Sequence, residues 1–352
     1  MRLDRSAALR HHARMARFGF TFPFDGLPLH AHKEALQEAE RLGYTDAWSY
    51  EVDGVDCFAP LAMAATWTDS LFLGTAIANV YTRAPMTLAM SANAIAEAAP
   101  GRFGLGIGAG SSVIVENWNG IEFDHPYRRV RDVTAVLKQF FAGEKVTADR
   151  PGVRVRGARL SRQLAAPPRL YIAALRERML QLAGAESDGA IINWLGAKDV
   201  PQCVAAAREG ARRAGRDPDR LEIVCRIFVC VTEDEALIDF IGRRSIAAYL
   251  NVPVYAAFHE WLGRGDALRP MWEAWRAGDR KAATAAIPRQ VIDEVLVFGD
   301  AETCRRKVQA YVDAGVTVPV LNFMPAAIDP ADRAAQSLSI LRALAPTRSP
   351  SL

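Results

Sequence analysis

The sequence predicts an α/β protein of the (β/α)8-barrel, or TIM-barrel, class, and three observations predict it. Apolar runs typical of strands alternate with amphipathic runs typical of helices along most of the 352 residues. The strand-like runs are apolar throughout, which indicates a parallel sheet buried on both faces. Eight such runs can be counted, and eight parallel strands close into a barrel. An open doubly wound sheet is the alternative, but the Gly-x-Gly-x-x-Gly turn that usually follows its first strand is missing.

The first half of the chain is predicted to hold four strands, each followed by a helix. The strands fall at 16–22, 46–51, 71–80 and 102–110, and the helices between them at about 30–42, 58–67 and 86–98. The segment 143–168 is polar and rich in Gly, Pro and Arg, without a hydrophobic face of its own. We therefore predict a long surface loop there.

The second half supplies the other four strands, at 169–175, 189–195, 221–232 and 316–323. The helix at 301–314 has the clearest end signals, since Asp300 can cap its first turn and Gly315 can end it. An insertion with three tryptophans, at about 249–288, separates strands seven and eight. The barrel is predicted as a single domain over 17–346, after a flexible basic extension at 1–16 and before a short tail at 347–352.

Composition excludes several classes of function. Half of the residues are hydrophobic, 24% are charged and the net charge is +3, with no basic run that alternates with aromatic residues, so no nucleic-acid partner is expected. No stretch approaches the roughly 20 apolar residues that span a bilayer, and the N-terminus lacks the apolar run of a secretory signal. We predict no membrane association, a cytoplasmic location and five free cysteine thiols.

Candidate site residues lie at the carboxyl ends of the strands, where barrels of this class carry their chemistry. Strand two ends at Trp48, Tyr50 and Glu51, which would place an acid and two large rings at the mouth. Glu51 could instead be a buried acid paired with an arginine. Strand three ends at Asn79, and Tyr81 follows it.

Strand four ends in glycines at 104, 106, 108 and 110. Small residues let a flat ring approach the backbone, although these glycines could also serve only to relieve crowding in the barrel. Strands five and six end at Ala173–Ala174 and Asn193–Trp194, beside a helix that begins near Arg176. The free N–H groups of a helix N-terminus suit phosphate. The strand ends thus predict a slot for a planar ring with an anion site beside it.

A metal-dependent hydrolase is the other class of barrel enzyme considered, because His30-Ala31-His32 has the His-x-His form of such sites. Here the pair lies past strand one, at a helix start, where side chains two positions apart diverge. Among the other histidines only His125 falls near a strand end, so no metal site is predicted.

Two segments, 73–112 and 171–195, resemble the luciferase-like monooxygenase superfamily, whose members are (β/α)8 barrels that use FMN or the deazaflavin F420. The resemblance rests on Gly101-Arg102-Phe103-x-Leu105-Gly106-x-Gly108-x-Gly110 and on Leu182-Ala183-Gly184 followed by Ser187-Asp188-Gly189. It extends from about residue 17 to residue 324. The insertion resembles that of an F420-dependent branch, which implies F420 as the cofactor and FMN as the alternative.

The resemblance also implies site residues. In similar F420 enzymes strand three carries a bulge with a non-prolyl cis peptide behind the ring, which would fall on Ala76–Ile77. The backbone of Ala173–Ala174 and the side chain of Asn193 match positions that bind the cofactor phosphate in relatives. The residues expected at the cofactor are Ala76, Ile77, Asn79, Gly110, Ala173, Ala174 and Asn193. Those expected at the substrate are Trp48, Tyr81, Trp194 and Tyr255.

The predicted activity is hydride transfer between C5 of F420 and a C=C, C=N or C=O group of a small organic substrate. Related sugar-phosphate dehydrogenases have His where this chain has Glu51 and Glu where it has Ser111, so that substrate is not expected. Glu51 is the first candidate for proton transfer, because desolvation among Trp48 and Tyr50 would favour its protonated form. His125 is the second candidate.

Three further expectations concern the insertion and the alternative functions. The aromatic insertion, with Tyr255, would cap the mouth, or else serve packing or a homodimer surface, and a homodimer is expected. The first alternative function is an FMN monooxygenase that takes reduced flavin and activates oxygen. The second is a cofactor-binding protein without catalysis.

Overall fold

A closed barrel of eight parallel strands forms the centre of the structure, a computed structural model that describes residues 17–346. The described residues contain the eight barrel strands and four further strands. In chain order they are β1 Gly19–Thr21, β2 Asp46–Ser49, β3 Phe72–Thr75, β4 Ala78–Asn79, β5 Phe103–Gly108, β6 Val146–Arg150, β7 Val153–Ala158, β8 Arg169–Ala173, β9 Gly189–Asn193, β10 Glu222–Val231, β11 Val297–Gly299 and β12 Val318–Phe323. Around the barrel the order is β1, β2, β3, β5, β8, β9, β10 and β12, which pairs again with β1. The predicted fold class is confirmed. The predicted extension 1–16 and tail 347–352 lie outside the described residues.

Helices surround the barrel and fill the insertion. They are α1 His32–Leu42, α2 Ala59–Trp67, α3 Pro85–Ala98, α4 Pro126–Phe141, α5 Glu177–Glu186, α6 Val200–Arg213, α7 Glu235–Leu250, α8 Pro253–Trp261, α9 Gly265–Arg276, α10 Arg280–Ala285, α11 Arg289–Val295, α12 Ala301–Asp313 and α13 Pro330–Ala343, with one turn of π-helix at Val113–Trp118. The end signals of α12 are confirmed. The Asp300 side chain accepts a hydrogen bond from the Thr303 N–H at 2.8 Å, and Gly315 has φ of +116°. No helix within residues 17–346 is long and apolar enough to cross a membrane.

The segment predicted as a surface loop contains an antiparallel hairpin, β6 and β7, so that prediction is wrong. Val146, Ala148 and Val153 are buried and pack on α4, which gives the hairpin the apolar face that its polar composition concealed. The Gly152 N–H also donates to the buried Asp132 carboxylate at 3.2 Å. A few small apolar residues at alternate positions are enough to hold a hairpin against a helix.

The third barrel strand is split. Phe72–Thr75 pairs with β2 and β5, and Ala78–Asn79 pairs with Ile107 and Gly108 of β5. The Ala76–Ile77 peptide bond between the two pieces is cis, at the position that the resemblance implies.

The insertion between β10 and β12 builds a second core against one side of the barrel. Helices α7 to α11 supply buried side chains such as Leu250, Leu268 and Met271, and Trp194 at the end of β9 joins them. The indole N–H of Trp272 donates to the Leu250 carbonyl at 2.8 Å. All five cysteines are buried and unpaired.

Side chains inside the barrel form stacked layers, because alternate residues of each strand point to the axis. The layer at the amino ends of the strands, here the N-terminal layer, consists of Arg17, Asp46, Arg169 and Glu222 with the Tyr171 hydroxyl. The Arg17 guanidinium donates to Asp46 at 3.0 Å and to Glu222 at 2.5 Å, and Arg169 donates to Glu222 at 2.8 Å. This layer closes one end of the barrel with paired charges.

The layer at the carboxyl ends, here the mouth layer, consists of Thr21, Tyr50, Ala76, Arg226 and Asn322. Between the two layers lie large apolar side chains, among them Trp48, Ile191, Val224 and Val320. The interior is therefore filled, and the mouth layer forms the floor of any site at the carboxyl ends of the strands.

Candidate active site

Small residues line one wall of the mouth, on β3, β5 and β8. A Cβ placed on Gly106 would lie 2.0 Å from the Thr75 carbonyl oxygen, so that glycine is required by packing inside the barrel. Gly108 lies nearer the mouth, where a Cβ would lie 3.0 Å from the Cβ of Ala173 and 3.2 Å from the Ile77 side chain. The crowding alternative therefore accounts for Gly106, whereas Gly108 and Ala173 leave their part of the wall without long side chains.

Asn79 and Gly110, both expected at the cofactor, contact each other at the end of this wall. The Asn79 side chain is buried, accepts from the Tyr81 N–H at 2.8 Å and donates to the Ala109 carbonyl at 3.3 Å. Gly110 has φ of +69°, and a Cβ there would lie 2.3 Å from the Asn79 amide nitrogen. The pair shapes the ends of β4 and β5, and its contact with a cofactor stays a prediction.

The predicted anion site lies beside β8 and β9. Helix α5 begins after Arg176 with no side chain capping its first turn. The Ala174 N–H is already used, since it donates to the Ile191 carbonyl at 2.9 Å. Asn193 forms a hydrogen bond with Tyr255, which partly offsets the burial that raises the pKa of that phenol. Within the described residues the Met179 N–H donates to the Arg176 carbonyl at 3.0 Å, so the N–H groups of Glu177 and Arg178 at the start of α5 remain for an anion.

Glu51 does not have the apolar surroundings that the sequence predicted. Its carboxylate accepts hydrogen bonds from two nitrogens of the Arg83 side chain, since Nε lies 3.0 and 3.1 Å from the two oxygens and Nη2 donates to Oε1. The Asn79 N–H donates to the same carboxylate at 3.4 Å. This ion pair raises the pKa of Arg83. The alternative in which Glu51 is paired with an arginine describes the structure. Arg83, 32 residues further along the chain, supplies the partner. The role of Glu51 in proton transfer stays a prediction.

Tyr81 is connected to His125 through the loop that precedes α4. The buried Tyr81 hydroxyl donates to the Asp124 carbonyl, and burial raises its pKa to about 12. His125 follows directly, exposed, with φ of +43°, at the start of α4. Within the described residues no hydrogen bond joins the His125 ring to Glu51. Tyr81 thus anchors the loop that carries His125, and the two candidate catalytic residues do not form a pair.

Both tryptophans that were expected at the substrate, Trp48 and Trp194, are buried. Trp48 lies one layer below Tyr50, where its indole N–H donates to Asp46 at 3.3 Å and its ring packs edge-on against Tyr171. Its predicted position at the mouth is wrong, because β2 ends one residue later and the alternation of side chains gives that position to Tyr50.

Trp194 has φ of +55° and is 2% exposed, so the expectation of an accessible ring at the mouth is wrong as well. Its ring stacks with Phe228 and Tyr249 at centroid distances of 4.1 and 4.3 Å. The side chain alternates with that of Asn193 and joins the second core rather than the mouth. Tyr255, the fourth residue expected at the substrate, lies half-buried beside Asn193.

The most prominent polar group of the mouth layer, Arg226, was not predicted from the sequence. Its Nη2 donates to the Asn322 side-chain oxygen at 2.7 Å, while Nε and Nη1 lie 3.4 Å from the Thr21 hydroxyl and 3.5 Å from the Ala76 carbonyl. Its guanidinium carbon lies 4.9 Å from the centre of the Tyr50 ring. Burial lowers the pKa of Arg226. The signal was a charged residue with apolar residues on both sides of it within the strand, Ile-Val-Cys-Arg-Ile-Phe-Val-Cys.

Residues 17–346 contain no cluster of three or more His, Cys, Asp or Glu side chains suited to a metal ion. The mouth instead offers a wall of small residues, a cation, phenol hydroxyls and the Glu51–Arg83 pair. Such a set can hold a flat ring against one wall and a polar substrate group against the floor.

Comparison with known proteins identifies the family of the chain and several of its relatives. A family model described as luciferase-like monooxygenase matches residues 10–318. A 5,10-methylenetetrahydromethanopterin reductase of Methanolobus tindarius is 29% identical over 308 residues, which are 85% of this chain and 92% of the relative. A Mycobacterium tuberculosis protein named as a coenzyme F420-dependent oxidoreductase is 26% identical over 84% of this chain and 91% of its own length.

Among solved structures, the coenzyme F420-dependent tetrahydromethanopterin reductase from Methanopyrus kandleri superposes with a TM-score of 0.75. It is 22% identical, and the superposition covers 92% of this chain and 98% of that chain. This similarity supports the barrel fold over nearly its whole length.

Proposed function

The chain belongs to the luciferase-like monooxygenase family, and from this premise we propose that this oxidoreductase uses F420 to transfer a hydride to or from a small organic substrate. The observation that carries the proposal is the wall of small residues at the carboxyl ends of β3, β5 and β8, with the uncapped N-terminus of α5 beside it. The choice of F420 over FMN is supported by the Mycobacterium tuberculosis and Methanopyrus kandleri relatives, whose names specify F420.

The residues at the mouth fit such a cofactor. Ala76, Gly108 and Ala173 present no side chain longer than a methyl group, so a planar ring can lie against them. The N–H groups of the first turn of α5 and the Asn193 amide suit an anionic tail. When bound, F420 supplies a hydride at C5 of its ring.

The remaining work falls to side chains of this chain. Arg83 and the Asn79 N–H hold the Glu51 carboxylate in place, and an ionised carboxylate can accept a proton when a substrate is oxidised and return it in the reverse direction. Tyr255 is held by Asn193 at the edge of the insertion, where it limits access of water to the mouth. His125 stands as the second candidate for proton transfer, carried on an exposed loop.

The test compares two reduced cofactors. Apo-protein is mixed with F420H2 without oxygen, and with FMNH2 in the presence of oxygen, each with a panel of enones, imines and ketones. We expect F420H2 to be oxidised only when both protein and acceptor are present. Oxygen-dependent product formation with FMNH2, and none with F420H2, would contradict the proposal in favour of a flavin monooxygenase. Tight F420 binding without hydride transfer to any acceptor would instead indicate a non-catalytic binding protein.

A homodimer and a cytoplasmic location are also proposed for this protein. The insertion is the expected dimer surface, because Phe240 exposes a large ring on α7. Light scattering coupled to size exclusion measures the assembly directly, and a monomeric mass would refute the dimer.

A further inference from the structure

We propose that Arg226 recognises the substrate through an oxyanion, and that the substrates of this enzyme are small carboxylates whose reducible C=C, C=N or C=O group is adjacent to the carboxylate. The proposal rests on the proposed function of the same mouth and specifies its substrate class. It depends on the juxtaposition of one cation, three phenols and the small-residue wall.

The Arg226 guanidinium has more N–H groups than the surrounding protein oxygens accept. An arginine side chain carries five N–H groups and no acceptor. Three of them contact protein oxygens, and two of those contacts, to Thr21 and Ala76, are long at 3.4 and 3.5 Å. Within the described residues one N–H on each of Nη1 and Nη2 has no protein acceptor. A carboxylate can take two such donors at once.

The charge of Arg226 is not paired with a carboxylate in the part of the chain that the structure describes. Two other arginines inside the barrel or the insertion, Arg17 and Arg264, each pair with two carboxylates, Arg264 with Asp199 and Glu294 at 2.8 Å. No carboxylate in residues 17–346 lies within 4 Å of the Arg226 nitrogens, and its acceptors are an amide, a hydroxyl and a carbonyl. Burial without a counter-charge is unfavourable for a cation, so a negative ligand would be bound strongly here.

Three tyrosines lie in the surroundings of Arg226. Tyr50, Tyr249 and Tyr255 all interact electrostatically with it. Burial raises the pKa of Tyr50 and of Tyr255, so these phenols remain protonated and can donate hydrogen bonds at neutral pH. The Tyr50 ring lies 4.9 Å from the guanidinium carbon, and a cation with protonated phenols nearby suits an oxyanion better than a second cation.

The position of Arg226 favours the substrate over the cofactor as its ligand. It stands on β10 between Asn322 of β12 and Thr21 of β1, while the small-residue wall and the helix terminus suited to a phosphate belong to β3, β5, β8 and α5. Its Nη1 reaches the Ala76 carbonyl at the edge of that wall. A carboxylate on Arg226 therefore leaves its neighbouring carbon atoms close to the wall, which explains the adjacent reducible group.

The test uses probes that differ only in charge. Apo-protein is titrated by calorimetry with crotonate and crotonamide, cinnamate and cinnamamide, and pyruvate and pyruvamide, in wild type, Arg226→Met, Arg226→Lys and Arg333→Met. Arg333 is the matched control, since it pairs with Asp25 at 2.9 Å near the end of β1 and its loss removes the same charge. We expect at least one carboxylate to bind about tenfold or more tightly than its amide in wild type and in Arg333→Met, the scale of a charge-assisted hydrogen bond. Arg226→Met should abolish that preference, and Arg226→Lys should keep part of it.

A parallel titration with F420 separates this proposal from the proposed function. If no pair shows a preference for the carboxylate in wild type, or if the preference survives in Arg226→Met, the proposal is wrong. It is also wrong if Arg226→Met weakens F420 binding about tenfold and leaves the probe preference unchanged, because Arg226 would then bind the cofactor. If the preference behaves as expected while F420 does not bind wild type, the cofactor assignment fails and the carboxylate site stands.

Discussion

The two ends of the barrel interior each hold an arginine, but they neutralise its charge differently. At the N-terminal layer Arg17 contacts Asp46 and Glu222, both buried, and the phenol of Tyr171 completes the network. At the mouth layer the acceptors of Arg226 within residues 17–346 are neutral oxygen atoms. The first end pairs its charges within the described residues, and the second leaves a cation for the carboxylate that we propose as its ligand. Barrels separate stability from chemistry in this way, between the amino and carboxyl ends of their strands.

The largest expected effect comes from breaking the complete end. Asp46→Asn keeps the shape of a fully buried side chain but leaves Arg17 with one carboxylate. We expect a loss of about 3–5 kcal/mol in the free energy of unfolding, as for other buried pairs that lose one partner. Urea denaturation measures it, with Asp149→Asn as control, because the Asp149–Arg154 pair is exposed and should contribute at most about 1 kcal/mol. Equal losses in the two variants would refute a special role for the N-terminal layer.

The next effect is catalytic and concerns the mouth. Glu51→Gln removes the proton acceptor while keeping hydrogen bonds to Arg83 possible. With cofactor bound, turnover should fall about 100-fold or more, the usual contribution of a general acid or base. Asp56→Asn is the control, since Asp56 lies 3.5 Å from the same arginine and is more exposed. Unchanged turnover in Glu51→Gln would exclude it from proton transfer and direct attention to His125.

A smaller effect depends on pH and concerns a third buried site, His259 in the insertion, whose hydrogen bond holds Trp194 of the second core. His259 donates from Nε2 to the Trp194 carbonyl at 2.9 Å, and burial, reinforced by Arg264, lowers its pKa from 6.5 to about 3. The unfolded chain therefore binds more protons below about pH 6.5, so stability present at neutral pH is lost as the pH falls. We expect a loss of about 2 kcal/mol from this residue between about pH 7 and about pH 5.

The measurement compares the unfolding free energy of wild type and of His259→Gln over that pH range. The difference between the two proteins should shrink as the pH falls, and the exposed His30→Gln variant should follow wild type. A constant difference between wild type and His259→Gln would mean that His259 has the same pKa in the folded and the unfolded protein.

The smallest expected effect is on stability at the mouth and is the counterpart of the first. Arg226→Met removes a buried cation that has no carboxylate partner among the described residues, so relief of desolvation offsets the lost hydrogen bond to Asn322. The free energy of unfolding should change by no more than about 1 kcal/mol. A loss of about 3 kcal/mol or more, as in Asp46→Asn, would show that both ends of the barrel serve the same structural purpose.

The barrel could be predicted because each buried parallel strand is a continuous apolar run, and that signal needs no knowledge of distant contacts. The hairpin β6–β7 was missed because Val146, Ala148 and Val153 gain their apolar partner only from α4. Trp48 was assigned to the wrong layer because it lies two residues before Tyr50 on the same inward face of the strand, and the exact end of the strand decides which of the two side chains reaches the mouth. The Glu51–Arg83 pair depends on loops after two strands, so the sequence could offer it only as an alternative.

Arg226 illustrates the opposite case. Its position in an apolar strand was visible in the sequence, yet only the structure assigns it to the mouth with Asn322, Thr21 and Tyr50 as neighbours. A lone charge in a strand buried on both faces must point toward a barrel end or a partner, and which of these holds depends on where the strand begins and ends.

The central claim, that the mouth beside the small-residue wall binds F420, is tested most directly by a fluorescence titration of wild type and Ala173→Leu with F420 and with FMN. Ala173 lies half-buried on the wall against Gly108, where a leucine would fill the space for a ring. The account predicts that wild type binds F420 more tightly than FMN, and that Ala173→Leu weakens F420 binding about tenfold or more while circular dichroism shows that the variant remains folded. Tighter binding of FMN, or F420 binding that Ala173→Leu leaves intact, would contradict it.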